Sequence, residues 1–349
     1  MSPEASDPLS QETQAAPART LGSWVWLVAK VGVTVGLITW LIRSGGLNMT
    51  SLTVLWRSPL VAVVATFNFA IGVVCFGALR WRRLLSALGI SVAVPRAVGL
   101  HWIAVFFNSF VPGNVGGDLI KNHAVVERDP GRLVTVALLE RVLGLTALLW
   151  TAIPAVVMSG ESLARHPGGK QLTAVVLVFF VLSILGLWAA YWLFSRLSEQ
   201  TGVNAAAEGW ASRLVSFVLQ HLRSGADTLR LLAQSPRVIM QVLGLSLLMH
   251  AFAVTNFWFI ARHLNNPQVT WAEMALVYPL GMLSIVLPIS ISGLGVGHLF
   301  FNELFKILDL QGGADVFNVA MVSSLALAAS GAVPYLLMEM RPRGPRHAA

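Results

Sequence analysis

Four charged residues, Asp118, Lys121, Glu140 and Arg141, interrupt a region otherwise rich in apolar side chains. Asp118 and Lys121 are spaced to share one face of a helix, where an acid and a base either pair or hold a ligand between them. Glu140 and Arg141 are adjacent, so on a helix they point about 100° apart and each needs a partner from another element. Arg141 carries the planar fork that grips phosphate in a bidentate manner. Alternatively, a pairing with Asp118, Lys121 or Arg132 locks the two segments together. Charges at membrane depth are costly, and they point by default to a binding or transport role. His298 and Glu303 form a sparser second group, in which His298 reads either as a proton-responsive or headgroup-donating side chain or as a satisfied core histidine.

Each group follows a break in an apolar run. In the first segment, from His101 to Gly131, Asn108, Pro112, Gly113, Asn114, Gly116 and Gly117 precede the charged pair. In the second, from Leu276 to Phe305, Pro288, Ser290, Ser292, Gly293, Gly295 and Gly297 precede His298. Proline and clustered glycine end a helix and free backbone groups that lipid cannot satisfy, so these stretches must face protein, water or a ligand. A helix restarting near Gly117 aims N–H groups and the positive end of its dipole at the break, a seat for phosphate. The plainer alternative is a tight corner with Asp118 as an ordinary helix cap.

The elements that carry these breaks follow from composition. The chain has 349 residues, of which 56% are hydrophobic and 11% charged, with a mean hydropathy of +0.71. Such a chain cannot present its surface to water, and the predicted class is an all-α polytopic membrane protein. Six apolar runs near the roughly 20 residues of a spanning helix occur at Trp24–Ile42, Pro59–Leu79, Val142–Met158, Leu172–Phe194, Val238–Ile260 and Val316–Met338. The two broken segments then read as re-entrant helical hairpins, which the distribution of basic residues favours, the alternative being that one or both simply cross. The halves, 24–158 and 172–338, become inverted repeats within one domain spanning 24–338. Residues 1–23 read as a disordered tail and 339–349 as a basic tail, and 204–236 reads as an amphipathic cytoplasmic linker.

This topology places six of the 24 Lys and Arg residues outside, namely Arg43, Arg57, Arg165, Lys170, Arg262 and Lys306, and the rest inside. That asymmetry predicts cytoplasmic N- and C-termini in a multi-pass protein of the cell membrane. The net charge of +8 flanks spans and does not form a nucleic-acid patch, so no nucleic-acid partner is expected. The single cysteine, Cys75, lies within a span, which excludes a disulfide framework and a cysteine-based zinc site.

The stretch FVPGNVGGDLIK, the later LLER and the stretch LPISISGLGVGH resemble the lysylphosphatidylglycerol synthase transmembrane, or flippase-like, family. This family includes the membrane flippase half of the multiple peptide resistance factor. The resemblance extends from Trp24 to Met338 and implies functional roles for Pro112, Gly113, Gly116, Gly117, Asp118, Lys121, Glu140, Arg141, Pro288, Gly293 and Gly295. Lys121 stands where the family more often has Arg, and His298 stands where it usually has an acid.

The function expected from these features is translocation of an anionic phospholipid or lipid-linked headgroup through a polar cleft between the hairpins. Membrane lipids are the expected partners, with a homo-oligomer or enzymes of envelope-lipid synthesis as further ones. The chain carries no GxxxxGK[ST] motif, HExxH site or DxD-like cluster, so neither ATP hydrolysis, a resident metal nor another cofactor is expected. The alternatives are a membrane-embedded transferase acting on lipid phosphates or lipid-linked sugars, and an accessory subunit of envelope-lipid synthesis.

Overall fold

A computed structural model describes residues 32, 35–36, 38–40, 42–43, 46–110, 116–125, 130–165, 168–200, 235–264, 266–286 and 293–339. Their regular structure is helical throughout. Among them five helices are long and apolar enough to cross a bilayer: Pro59–Ala87, Val134–Met158, Gly169–Ala189, Pro236–Leu264 and Gly313–Met338. The run expected at 24–42 falls largely outside the described residues. So do the linker as far as 234, both tails but for Glu339, and the two corners at 111–115 and 287–292.

Helix α1 (Pro59–Ala87) opens with Pro59 at its first turn after the extended Ser58, where a missing N–H costs nothing. It is π-helical over Asn68–Phe76 and ends where Gly89, at φ 76°, lets the Ile90 N–H reach back to the Leu85 carbonyl at 3.0 Å. The helix therefore runs well past the apolar stretch ending at Leu79, and it carries Arg80, Trp81, Arg82 and Arg83 within it.

Both interrupted segments fold back on themselves. α2 (Val94–Phe110) packs against α3 (Gly116–His123), and α8 (Trp271–Val286) packs against α9 (Val296–Ile307). The pairing is antiparallel, since Asn108 bonds to the Gly117 N–H near the corner while His101 meets Lys121 further down. In the second hairpin Gly293 lies against Ile285 and Gly281 against Phe301.

The remaining helices frame these hairpins: α4 (Pro130–Trp150), α5 (Ala152–Arg165), α6 (Gly169–Gln200), α7 (Pro236–Leu264), α10 (Gly313–Ala329) and α11 (Ala332–Glu339). α1 and α7 cross antiparallel. Phe252 packs on Phe67 and Phe76, with ring centroids 5.8 and 5.5 Å away, while Ser246 and Val242 lie alongside Arg80 and the Trp81 cluster. Each hairpin leans on the other half: α2 packs against α10 and α11, and α8 packs against α5. The main core follows the second of these contacts, from Ala152 and Ala155 through Met274 and Leu276 to Phe301 and Phe317. α6 is peripheral, with only 11% of its apolar window buried, which leaves its side chains to lipid.

The closest approach of the first hairpin is at Gly117. A β-carbon there meets the backbone carbonyl of Ala104, and backbone cannot rotate away as a side chain can. Gly117→Ala is expected to cost at least about 1–3 kcal/mol through overpacking. Gly244→Ala, where a β-carbon meets nothing within 4 Å, should be neutral or stabilising by up to about 1 kcal/mol. Thermal unfolding of the two variants in detergent measures the contrast, and equal melting temperatures would remove the close approach from the account of this hairpin.

Candidate functional site

The hairpin fold brings Asp118, Lys121, Glu140 and Arg141 together. α3 supplies Asp118 and Lys121, α4 supplies Glu140 and Arg141, and α1 adds Arg80, one of the basic residues that the sequence assigns to the cytoplasmic side. Glu140 sits at the centre. One of its oxygens accepts from Arg80 Nη2 at 3.0 Å and the other from Lys121 Nζ at 2.7 Å. Lys121 has a side chain only 1% exposed, and its ammonium also reaches Asp118 Oδ1 at 3.3 Å and His101 Nδ1 at 3.4 Å. It lies 5.5 Å from the centre of the Trp81 ring. Three donors thus meet three oxygen or nitrogen partners, which a buried ammonium requires.

Adjacent Glu140 and Arg141 do take separate partners. Arg141 Nη2 bonds Asp118 Oδ2 at 3.1 Å, with Nε 3.4 Å from the same oxygen. The Arg141 side chain is 42% exposed against 13% for Asp118. The core pair and the outer pair therefore share Asp118, which touches both Lys121 and Arg141.

Asn108 modifies the expected anion seat at the start of α3. Its Oδ1 accepts from the Gly117 N–H at 2.9 Å, and its Nδ2 donates to Asp118 Oδ1 at 3.2 Å. That N–H is already capped by the opposite arm, so it is not free for a ligand. The donor capacity of the site lies elsewhere. Arg80 Nε and Asn122 Nδ2 are buried without a hydrogen-bond partner, while Asn122 Oδ1 accepts from Trp81 Nε1 at 2.7 Å. Among the described residues, three cations, Arg80, Lys121 and Arg141, bond to the carboxylates of Asp118 and Glu140.

The second group does not join this cluster. His298 Nδ1 accepts from the Gly295 N–H at 3.2 Å and its Nε2 faces Asn318 Oδ1 at 3.3 Å. Its ring stands edge-on to Phe317 at 4.8 Å. Gly295 and Gly293 hold φ values of 83° and 77°, conformations that glycine adopts freely. Glu303 is exposed and pairs with Lys306 at 2.7 Å on the surface of α9. Gly116 opens α3, while Pro112, Gly113, Asn114, Pro288, Ser290 and Ser292 lie outside the described residues.

Pro59 and Pro236 open the two crossed helices, and counting from them aligns the halves. Arg80, His101, Lys121, Glu140 and Arg141 then fall opposite Phe257, Tyr278, His298, Phe317 and Asn318. The second set makes contacts through rings, with Phe257 5.1 Å from both Tyr278 and Phe301 and Phe301 stacked on Phe317 at 5.0 Å. Ion pairs hold one half where aromatic contacts hold the other.

Sequence reading missed Arg80, His101, Asn122 and Trp81 as members of the cluster. For Arg80 a signal existed in Ala78, Trp81, Leu84, Leu85 and Leu88, whose helical spacing continues the helix past Leu79 and makes Arg80 part of that helix instead of a flank.

A helical multi-pass membrane protein with a buried charge cluster on a folded-back segment is the class these features define. The chain belongs to the family described as the lysylphosphatidylglycerol synthase TM region, whose model matches residues 27–337. It is also similar to a protein described as UPF0104 membrane protein from Methanothermobacter thermautotrophicus, 26% identical over 271 residues that cover 70% of this chain and 72% of that protein. Membership associates the chain with lipid metabolism or translocation in the membrane.

Removing the central carboxylate leaves buried cations uncompensated, a defect worth about 3–5 kcal/mol. Glu140→Gln is therefore expected to lower stability by that order, and adding Lys121→Met should restore a substantial part. Arg141→Gln, at a half-exposed position, should cost less than about 1 kcal/mol. Chemical or thermal unfolding in detergent ranks the three, and an Arg141 variant as unstable as the Glu140 variant would overturn this hierarchy.

Proposed function

We propose that the protein moves an anionic phospholipid or lipid-linked headgroup between leaflets. The headgroup occupies a polar cleft between two re-entrant hairpins while the acyl or polyprenyl chains stay in lipid. The observation that carries this reading is the Arg80–Glu140–Lys121–Asp118–Arg141 cluster, which gathers basic and acidic side chains on the first hairpin and runs from buried Glu140 and Lys121 to the half-exposed Arg141. Exposed Leu119, Ile120, Leu138 and Val142 neighbour it in sequence on α3 and α4, so an apolar surface for lipid chains adjoins the charged entrance. A headgroup in such a cleft is shielded from hydrocarbon without extracting its chains, which removes the largest barrier to its passage.

Inverted repeats supply alternating access in this reading. The antiparallel crossing of α1 and α7 and the reciprocal leaning of each hairpin on the other half support it. Both termini lie in the cytoplasm, on the strength of the basic-residue asymmetry.

Purified protein in vesicles of phosphatidylcholine and phosphatidylethanolamine, with fluorescent phosphatidylglycerol bleached from outside by dithionite, tests transport. Wild type should expose the inner-leaflet label within the assay and empty vesicles should not. Arg141→Lys keeps the charge but loses the fork, so it should slow exposure, and Arg141→Gln should slow it more. Bleaching that stops at the outer-leaflet fraction with wild-type protein would sink the proposal.

Orientation is tested separately in a Cys75→Ser background. Gln268→Cys should react with an impermeant maleimide on intact cells, and Ser91→Cys only after permeabilisation. The reverse pattern would invert the topology.

A further inference from the structure

We propose that the C-terminal end of α7 carries a separate lipid site, in which Arg262, laid on a tryptophan ring, holds the phosphate of an anionic phospholipid in the adjoining leaflet. The site stands on its own geometry and requires neither the charge cluster nor transport.

α7 has 29 residues, from Pro236 to Leu264, so it is about 43 Å long against a hydrocarbon core of about 30 Å. Centred on that core, its last turn, which holds Arg262, lies in the headgroup region. Thr255, Trp258 and Arg262 are spaced to share one face of the helix. Thr255 and Arg262 are exposed and Trp258 is half-buried, so this face looks out of the bundle. The Arg262 guanidinium carbon lies 5.3 Å from the centre of the Trp258 ring. Trp258 Nε1 donates to the Val269 carbonyl at 3.0 Å, and Trp271 Nε1, at the start of α8, donates to Thr255 Oγ1 at 3.0 Å. Both indoles are thereby pinned, and they stand at the depth where tryptophan collects in membrane proteins. Trp56, 87% exposed, and Arg57 lie at the same end of the α1–α7 crossing, just ahead of Pro59.

Among the described residues Arg262 makes no hydrogen bond and no ion pair, so the donors of its fork are open. Its neighbour His263 is taken up by its own helix, with Nδ1 2.8 Å from the Phe259 carbonyl and its ring 4.3 Å from that of Phe259. Glu273, just past Trp271, accepts from the Thr270 N–H at 2.7 Å. A guanidinium held by stacking loses little freedom on binding and offers two parallel N–H bonds to a phosphodiester. The stacked cation also sets the preference among lipids. It takes the ring face that a choline or ethanolamine ammonium favours, so a headgroup with a phosphate and no ammonium fits better.

This site is remote from the cluster. About 24 Å of helix separates Ser246, beside Arg80, from Arg262. In the orientation that the basic residues favour, the site faces the outer leaflet.

The test uses the full chain in phosphatidylcholine vesicles doped with either phosphatidylglycerol or phosphatidylcholine, each carrying the same diazirine at the top of one acyl chain. After illumination, lipid adducts are mapped by mass spectrometry. The stretch of α7 from Thr255 to Arg262 should be labelled about fivefold more by the phosphatidylglycerol probe, the order expected of one interfacial cation. Arg262→Gln should bring the two probes level. Lys306→Gln, which removes a charge that Glu303 already pairs, should keep the preference, and this separates the site from a general effect of surface charge. Equal labelling by both probes in wild type overturns the site. A preference that survives Arg262→Gln also overturns it and leaves Arg262 as a partner of the helix C-terminus alone. Arg262→Lys, which keeps the charge and loses the stacked fork, should show a reduced preference and decides the matter if the glutamine variant does not fold. Labelling needs no passage between leaflets, so it stands or falls separately from the dithionite assay.

Discussion

A carboxylate with two cations on it, inside a helical bundle, constrains everything around it. Glu140 holds Lys121 and Arg80 at 2.7 and 3.0 Å, and among the described residues the only other carboxylate on either cation is Asp118, 3.3 Å from Lys121. Three elements must therefore meet at one point: α3 from the hairpin, α4 after it and α1 before it. Separating any of them strands a charge in a medium that cannot solvate it, a penalty larger than most packing contacts supply. The hairpin of α2 and α3 is positioned by that requirement, and Asn108, Asp118 and Arg141 extend the network outwards to the half-exposed Arg141 guanidinium.

The backbone makes the meeting possible. α3 can lie close enough to α2 for Asn108 to cap it only because Gly117 presents no β-carbon to the Ala104 carbonyl. The second hairpin uses the same device, with Gly281 against Phe301 and Gly297 against Phe317, but it fills the resulting contacts with rings. At the aligned positions the first half has directional, charged bonds where the second has aromatic packing. A ligand that carries charge has an electrostatic reason to engage the first half, while the second presents a neutral, closely packed face. His250 and Tyr278 stand where the two regimes touch.

Composition and spacing alone determined the class of protein. Long apolar runs admit only helices in lipid, because each backbone polar group must be satisfied within its own segment, and proline with clustered glycine marks where those helices stop. The pairing of Asp118 with Lys121 was legible because three residues along a helix is a local distance. The need of Glu140 and Arg141 for outside partners followed from the same geometry, although the partners did not. Arg80, far away in sequence, looked like one of many interfacial basic residues. Only the continuation of α1 past Leu79 and its antiparallel contact with α7 turned it inwards onto Glu140. His298, which reads from the sequence as a proton-responsive side chain or a core histidine, is occupied by the Gly295 N–H and Asn318, whereas His250 on α7 meets the Gly144 carbonyl and the Tyr278 hydroxyl. Local spacing fixes what one helix can offer, whereas the choice among chemically similar histidines and arginines is made by which helices cross, a property of contacts 60 to 166 residues apart in sequence.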